Sequence, residues 1–315
     1  MTTRTGRDVS QDDSALQSHM QFLITGASTG IGEGCARWLD ARGHHVFAGV
    51  RREEDGARLK AGSSDRLTPV MIDVADEGSI RASVGRVSSI LEGGGVDAGL
   101  DGLVNNAGIG VAGPLEYVPL DALRRQLEVN VTGQIAVTQA FLPFLRRARG
   151  RIVFIGSIGG RFATPFLAPY CASKFALEAI ADCLRVELQP WGIHVAILEP
   201  GSIATPIWSK PGDGGVAADP SRTVVMNRDY GQAVAAFRTA AAAAERRGLS
   251  TDVTSAVIEH ALTARSPKTR YIVGTDAKLR VALRYVISDR MCDRLLTRVL
   301  KLPGRGARLT SDNPK

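Results

Sequence analysis

The sequence predicts a single α/β domain, a doubly wound parallel sheet of about seven strands with helices on both faces in three αβα layers. Three observations support this prediction. Short apolar runs alternate six times with segments of helical periodicity. A glycine-rich turn directly follows the first run. Polar residues follow most of the other runs, and ligands of such sheets bind at the carboxyl ends of the strands.

Composition narrows the class of protein. Of the 315 residues 44% are hydrophobic, and no apolar run reaches the roughly 18–20 residues of a membrane span. The net charge is +7, but only 5% of residues are aromatic and none interleave with Lys/Arg runs, so no nucleic-acid partner is expected. The four cysteines lack metal-ligand spacing, so no metal site is expected.

The chain divides into three parts. Residues 1–19 are polar and lack the apolar core of a secretory signal, so we expect a disordered tail and a cytoplasmic protein. The folded domain is expected over 20–275. A basic helical extension follows over 276–315.

The first predicted strand leads into a turn of the kind that binds phosphate. Residues 21–25 form the strand, the turn covers 26–32, and a helix continues to about Arg42. Glycines allow the tight turn and let the backbone approach a pyrophosphate, which then lies on the helix N-terminus. The glycine spacing is not the common Gly-x-Gly-x-x-Gly, but its position between a strand and a helix favours a nucleotide site.

The second predicted strand indicates which nucleotide is bound. It covers 45–50 and is followed by Arg51 and Arg52 rather than by an acidic residue. An acidic side chain would bind the ribose 2′-hydroxyl of NAD, whereas arginine pairs with a 2′-phosphate in a forked geometry. The sequence therefore favours NADP(H), with NAD(H) possible. The alternative, an arginine solvated at a strand end, applies more to Arg52 than to Arg51.

Two further strand ends extend the predicted cleft. A strand over 67–72 delivers Asp73 and Val74, and this carboxylate can accept a hydrogen bond from an adenine amino group. A strand over 100–105 runs into the small and amide residues of 106–108, which let the backbone lie close to a nucleotide. The asparagines here can equally tie neighbouring strands together.

Proton-transfer chemistry is predicted around the fifth strand. Residues 151–156 form this strand, Ser157 ends it, and a later helix opens with Tyr170 and Lys174. Four residues are just over one helical turn, so the phenol and the ammonium share a face. A lysine beside a phenol lowers the phenol pKa, and Ser157 can hydrogen-bond the same substrate oxygen. This arrangement predicts alcohol–carbonyl chemistry with a separate hydride carrier.

Asn130 lies within a long predicted helical region that runs from Pro119 to about Arg147. A polar amide between Val129 and Val131 is unfavourable there unless it has a partner. We therefore expect Asn130 to break the helix locally and to hold a water or the lysine.

Together these residues resemble the short-chain dehydrogenase/reductase family, which has a Rossmann-type fold. The resemblance runs unbroken over 21–205 and more loosely to about 275. It is carried by the glycine turn, Asn105-Asn106-Ala107-Gly108, Asn130, Ser157, Tyr170-x-x-x-Lys174 and Pro200-Gly201. The segments around Tyr170 and Pro200 look like the branch that contains retinol, hydroxysteroid and 3-hydroxybutyrate dehydrogenases.

The resemblance implies a role for each of these residues. Tyr170 would be the general acid/base, and Lys174 would lower its pKa and hold the nicotinamide ribose. Ser157 would polarise the substrate oxygen, and Asn130 would anchor a water in a proton relay. The implied cofactor contacts are Gly26, Ser28, Thr29, Gly30, Ile31, Gly32, Arg51, Arg52, Asp73, Val74, Asn106, Ala107, Gly108, Tyr170, Lys174, Pro200, Gly201, Ile203 and Thr205.

The resemblance also bears on the choice of nucleotide. Val50-Arg51 looks like the family's NADP arrangement, in which a basic residue follows the missing acidic one. The family's other NADP signal, a basic residue before the second glycine, is absent because Thr29 stands there. NADP(H) remains favoured.

The substrate side is expected to be apolar. Residues 202–250 form an insertion that we interpret as a lid, with an Ala-rich helix from about Asp229 to Arg247. No arginine or lysine is obviously placed for a substrate carboxylate, which favours a lipophilic alcohol or ketone. Several pocket candidates could instead only pack the lid. The predicted substrate contacts are Ile109, Ser157, Phe162, Phe166, Tyr170 and Trp208.

The basic C-terminal extension has two interpretations. A helix capped by Ser288 places Arg290, Arg294 and Arg298 opposite an apolar stripe. It could lie on an anionic membrane surface, or it covers its own domain or a partner subunit, which is the more common case. The family resemblance implies a homodimer or homotetramer.

Four functions remain open from the sequence. The leading hypothesis is an NADP(H)-dependent oxidoreductase that moves a hydride between nicotinamide and a secondary alcohol or ketone of small-molecule, lipophilic type. The alternatives are a non-catalytic nucleotide-binding sensor or scaffold and an NAD-dependent hydroxy-acid dehydrogenase. Lyase or epimerase chemistry with a retained cofactor is a related alternative.

Overall fold

The computed structural model describes residues 19–93, 99–205, 207 and 220–302. Its centre is a parallel sheet in the order β3-β2-β1-β4-β5-β6-β7. The predicted fold class is thereby confirmed. The strands are β1 Gln21–Ile24, β2 His45–Val50, β3 Leu67–Met71, β4 Gly102–Asn105, β5 Arg151–Ile155, β6 His194–Pro200 and β7 Arg270–Val273.

Helices cover both faces of this sheet, because its strands are apolar on both sides. One apolar core joins the sheet to α1 and α8 and includes Phe22, Leu39 and Ile258. The other joins it to α3, α5 and α6 and includes Phe141 and Leu177. The helices are α1 Gly30–Ala41, α2 Glu53–Ala61, α3 Glu77–Glu92, α4 Leu120–Leu127, α5 Gly133–Ala148, α6 Ala168–Glu187, α7 Pro220–Arg246, α8 Thr251–Thr263, α9 Thr275–Val286 and α10 Asp289–Val299.

Strand register brings the predicted site residues to one edge of the sheet. The chain winds outward from β1, which lies between β2 and β4. In β4 and β5, Asn105 pairs with Phe154. Consequently the turn after β4 and Ser157 after β5 end at nearly the same height, beside the glycine turn that follows β1. This is the crevice where a doubly wound sheet binds ligands.

The long helical region around Asn130 is divided, as its sequence predicts. Glu128–Thr132 forms a π-helical turn between α4 and α5. A π turn widens the helix by one residue and often occurs at functional sites. It turns the Asn130 amide inward, where the side chain is fully buried.

Beyond β6 the structure departs from the expected boundaries. Helix α7 begins at Pro220, nine residues before the predicted start at Asp229. On α9 and α10, Leu279, Tyr285, Val286 and Met291 are more than half exposed. Across the described ranges, no helix is both long and apolar enough to cross a membrane. Peripheral membrane contact through α10 stays a prediction.

Two helical glycines give a matched test of this packing. A Cβ on Gly133, at the start of α5, would lie 2.4 Å from the Val74 carbonyl oxygen, whereas a Cβ on Gly85 in α3 meets nothing within 4 Å. Alanine favours the helix over glycine by about 1 kcal/mol. In urea unfolding we expect Gly85→Ala to stabilise the protein by roughly 0.5–1 kcal/mol. Gly133→Ala should destabilise it; stabilisation by both variants would contradict the packing.

Candidate active site

A single cavity of about 600 Å³ runs along the carboxyl ends of the strands. Its walls come from the turns after the first six strands, β1 to β6, and from helices α6, α7, α9 and α10. Predicted residues that line it are Gly26, Ser28, Thr29, Gly30, Ile31, Arg51, Asp73, Val74, Asn106, Ala107, Gly108, Ile109, Ser157, Phe162, Tyr170, Lys174, Pro200, Gly201, Ile203 and Thr205.

A few predicted contacts are not part of this lining. Gly32 supports the turn from behind, and Asn130 lies buried beneath the cavity. Arg52 and Phe166 are also outside the lining. Trp208 lies outside the described residues.

The glycine turn is shaped for close approach by a bound group. Gly26 has a φ of +66°, a conformation that side chains rarely adopt. A Cβ on Gly32 would come within 2.3 Å of the Gly26 carbonyl oxygen. Since α1 begins at Gly30, its first backbone N–H groups are available to an anion at this turn. The cradle therefore fits the pyrophosphate of a dinucleotide.

Thr25 and Asn106 lock this turn to the end of β4. The Thr25 hydroxyl accepts hydrogen bonds from the backbone N–H groups of Asn106 and Ala107, both at 3.0 Å. The Asn106 amide in turn donates to the carbonyls of Thr25 and Gly26, at 2.9 and 3.1 Å. The structural role that the sequence left open for Asn106 is therefore realised. Thr25 was not among the predicted site residues, although a hydroxyl at the end of a strand can indicate such a contact.

The two arginines after β2 have different environments. Arg51 lines the cavity, and within the described part of the chain it has no hydrogen bond or ion pair. Arg52 instead donates two hydrogen bonds to Asp55, at 2.9 and 3.1 Å. The expected cofactor contact of Arg52 stays a prediction, and in this structure its own helix supplies a carboxylate partner three residues later.

Arg58 also stabilises the glycine turn, a role that the sequence analysis did not predict. It donates to the carbonyl oxygen of Ser28 in the glycine turn and, at 2.8 Å, to Glu33 on α1. It thereby connects α2 to the turn. This contact joins segments that are far apart in the sequence, so no local motif predicts it.

Ser157, Tyr170 and Lys174 lie together where β5 meets α6. All three side chains are at least nine-tenths buried. The Lys174 ammonium donates to the Ile155 carbonyl oxygen at 2.7 Å and lies 5.7 Å from the centre of the Tyr170 ring. The Ser157 hydroxyl accepts from the Gly159 N–H at 3.0 Å, which holds it at the end of the strand.

The Tyr170 pKa differs from the expected direction. Burial raises it to about 12, against a hydrogen bond with Ser157 that lowers it. Burial also lowers the pKa of Lys174 to about 8, which the Glu178 carboxylate partly opposes. The expected lowering is not found in the protein alone, because burial of the phenol outweighs the hydrogen bond with Ser157. At neutral pH Tyr170 is therefore a proton donor.

Asn130 is held by neighbours other than Lys174. Its amide oxygen accepts from the Ile109 N–H at 2.8 Å, and its nitrogen donates to the Ile109 carbonyl and to Ser173, both at 3.1 Å. Asn130 thus fixes the segment after β4 against α6. A water bound to Asn130 stays a prediction.

A buried ionic network lies one helical turn beyond Lys174. Arg270 of β7 contacts Glu178 at 3.2 Å, Glu199 at 3.3 Å and Asp182 at 2.7 Å. Arg161, just after the Ser157 loop, reaches Glu199 at 3.2 Å. Burial and the neighbouring Glu199 charge raise the pKa of Glu178 to about 7, against the pull of Arg270. The network joins α6, β6 and β7 beneath Ser157, Tyr170 and Lys174.

The outer part of the cavity is apolar. Phe166 packs with Ala233 of α7 and Leu300 and is not part of the cavity lining, so its role as a substrate contact stays a prediction. Leu295, Leu296 and Val299 of α10 line the cavity, and contact of this helix with a membrane surface stays a prediction. The apolar wall on this side consists of Phe162, Leu167, Ile207, Phe237, Ala240, Ala241, Ala244, Leu283, Leu295, Leu296, Val299 and Leu300.

Comparison with known proteins gives the same picture. Residues 21–214 match the short chain dehydrogenase family. The NADPH-dependent 3-dehydrocapnine reductase of Ornithobacterium rhinotracheale is 34% identical, with 89% of this chain and 96% of that protein covered. Mouse mitochondrial D-beta-hydroxybutyrate dehydrogenase is 37% identical (83% and 78% covered). Mouse retinol dehydrogenase 5 is 36% identical (94% and 93% covered).

Solved structures agree with the fold. A short-chain dehydrogenase from Streptomyces avermitilis superposes with a TM-score of 0.74 at 28% identity, covering 91% of this chain and 98% of that one. The resemblance to this family and to its hydroxybutyrate and retinol dehydrogenase branch is confirmed by these similarities.

The Glu178 pKa makes a prediction about stability. The carboxyl ordinarily titrates at 4.5 and here at about 7, so the folded protein keeps a proton that the unfolded chain releases. The stabilisation of the folded state by this proton is fully present below pH 4.5 and is lost as the pH rises to about 7. Glu178→Gln has no titrating carboxyl at this position, so the variant should not show this loss of stability. The unfolding free energy of the wild type relative to the variant should fall by roughly 2–3 kcal/mol between pH 4.5 and 8.

Urea unfolding across this pH range checks the prediction. The control is Glu187→Gln, since Glu187 is exposed at the end of the same helix and should give a curve parallel to the wild type. A parallel curve for Glu178→Gln as well would show that the buried carboxyl holds no extra proton.

Proposed function

Because the chain belongs to the short chain dehydrogenase family, whose members are oxidoreductases that act on CH–OH groups, we propose that it is an NADP(H)-dependent reductase or dehydrogenase of a lipophilic ketone or secondary alcohol. The observation that carries this proposal is the burial of Ser157, Tyr170 and Lys174 in the same cavity as the glycine turn. Bound NADP(H) would supply the hydride.

The chain's own residues would handle the proton. The substrate oxygen would accept hydrogen bonds from the Ser157 and Tyr170 hydroxyls, which polarises the carbonyl for reduction. With a pKa of about 12, the Tyr170 phenol is protonated at neutral pH and can donate to the developing alkoxide. In the oxidation direction the deprotonated form, the Tyr170 phenolate, would accept the proton from the alcohol.

Lys174 would position and tune this proton donor. One of its three N–H groups is used by the Ile155 carbonyl, which leaves two for a ribose hydroxyl and the phenol. Its pKa of about 8 keeps most of it charged at neutral pH. A charged ammonium beside the phenol stabilises the phenolate that remains after proton transfer.

The preference for NADP(H) is supported by Arg51. This guanidinium lines the cavity at the end of β2, where it is exposed and where an acidic residue would favour NAD. Within the described ranges no carboxylate neutralises it. The 3-dehydrocapnine reductase relative is NADPH-dependent, which agrees with this choice.

A lipophilic substrate is supported by the cavity's outer wall. Aromatic and aliphatic side chains from α7 and α10 face the space beyond Tyr170. Burial of apolar substrate surface there contributes about 25 cal/mol per Å². The name of the retinol dehydrogenase relative indicates a substrate of this type.

Tyr170→Phe tests the mechanism. Since the variant removes only the hydroxyl, NADPH binding should be retained, while turnover should fall about 10²–10⁴-fold. NADPH oxidation is followed over a panel of long-chain ketones, steroid ketones and retinal. Unchanged turnover in the variant would contradict the role of Tyr170. Tight NADPH binding with no turnover of any compound would favour a nucleotide-binding sensor.

Arg51→Ala tests the cofactor choice. Loss of a charge-assisted pair with a 2′-phosphate should weaken NADPH binding about 10- to 100-fold and leave NADH binding nearly unchanged. Arg52→Ala is the matched control, because it removes the same charge from a side chain that is bonded to Asp55. Equal weakening of NADPH and NADH by Arg51→Ala would remove the argument for NADP(H).

A further inference from the structure

Arg280 of α9 lines the same cavity as the catalytic residues. Its helix is anchored to the end of β6, because Asp276 accepts hydrogen bonds from the Ser202 N–H and hydroxyl at 3.0 and 3.1 Å. Arg280 follows Asp276 by four residues and therefore lies on the same face of α9, one turn further along. The contacts of Asp276 therefore hold this part of α9, and with it Arg280, over the cavity.

The strand order places Arg280 on the substrate side of the site. It follows β7, whereas Arg51 follows β2, five strand intervals away in the sheet. At about 4.8 Å per interval the two strand ends are roughly 24 Å apart. Arg280 is therefore too far away to share the 2′-phosphate proposed for Arg51. Helix α9 instead adjoins the Ser157 loop, where Arg161 donates to the Tyr285 hydroxyl at 2.6 Å.

Arg280 is also an uncompensated charge within the described part of the chain. No hydrogen bond or ion pair is made there by its guanidinium, while Arg284 on the same helix pairs with Asp289 at 2.8 Å. The nearest cavity walls, on α9 and α10, are leucine and valine side chains.

One carboxylate of the lining needs separate consideration. Glu245 of α7 lies shortly before the turn into α8, where Thr251 packs on Gly34 of α1. That packing directs this end of α7 toward the glycine turn and away from β7. Glu245 makes no ion pair with Arg280.

We propose that Arg280 binds the acid group of an amphiphilic substrate, a carboxylate or a sulfonate. The apolar chain of this substrate lies along α7 and α10, and its oxo or hydroxy carbon meets Tyr170; only this last placement rests on the proposed function. A guanidinium matches the two oxygens of an acid in a forked geometry. Arg280 is exposed at the cavity, so a wholly apolar ligand would leave this donor bonded only to water. The site thus favours acids over neutral ketones of equal length.

A binding experiment tests this without turnover. Dodecanoate, dodecanesulfonate and dodecanol are titrated calorimetrically into the full chain saturated with NADP⁺. Both acids should bind at least about tenfold more tightly than the alcohol. Arg280→Gln should abolish this preference, and Arg280→Lys should restore part of it. Arg284→Gln removes the same charge from a paired side chain and should keep the preference.

Two results would overturn the acid site: equal binding of acid and alcohol to the wild type, or a preference for acids that survives Arg280→Gln. The fate of the proposed function is separate. Turnover of ketones without a preference for acids would leave that function standing and remove this inference. An Arg280-dependent preference for acids without turnover of any ketone would leave this inference standing and remove the proposed function.

Discussion

The buried Lys174 ammonium is the interaction on which the rest of the site depends. A charge in an apolar interior is costly unless its hydrogen bonds are satisfied, and here the Ile155 carbonyl at the end of β5 accepts one of them. That bond fixes the second turn of α6 against β5, the strand that leads into Ser157. Tyr170 is thereby held over the same strand end, and Glu178 is placed one turn further along, where it joins the ionic network with β6 and β7.

Burial sets the protonation of the site as well as its geometry. The same exclusion of water that lowers the Lys174 pKa raises that of Tyr170, so the pair holds one positive charge and one phenolic proton at neutral pH. Such a site is ready to donate a proton during carbonyl reduction. Additional positive charge beside the phenol would move it toward the phenolate needed for alcohol oxidation. Under the proposed function, the positive charge of bound NADP⁺ would therefore favour the phenolate.

Sequence reasoning reached the sheet, the glycine turn and the catalytic residues because each depends on local pattern: alternating apolar runs, a turn between strand and helix, and residues four apart on one helix. It did not reach features that depend on side-chain directions or on contacts between distant segments. The pairing of Arg52 with Asp55 and the packing of Phe166 under Leu300 depend on side-chain directions in three dimensions. The Tyr170 pKa depends on burial, and Arg280 enters the cavity only because α9 folds back over β6.

The most direct test of this account is the titration of Tyr170 itself. Nuclear magnetic resonance of protein labelled with ¹³Cζ-tyrosine, with the signal assigned through Tyr170→Phe, follows the phenol between pH 7 and 11. Burial predicts that the Tyr170 signal of the protein alone stays that of the protonated phenol throughout, as a pKa of about 12 requires. The positive charge of bound NADP⁺ should lower this pKa into the measured range. Titration at or below pH 10 in the protein alone would contradict the account, as would a signal that NADP⁺ leaves unchanged.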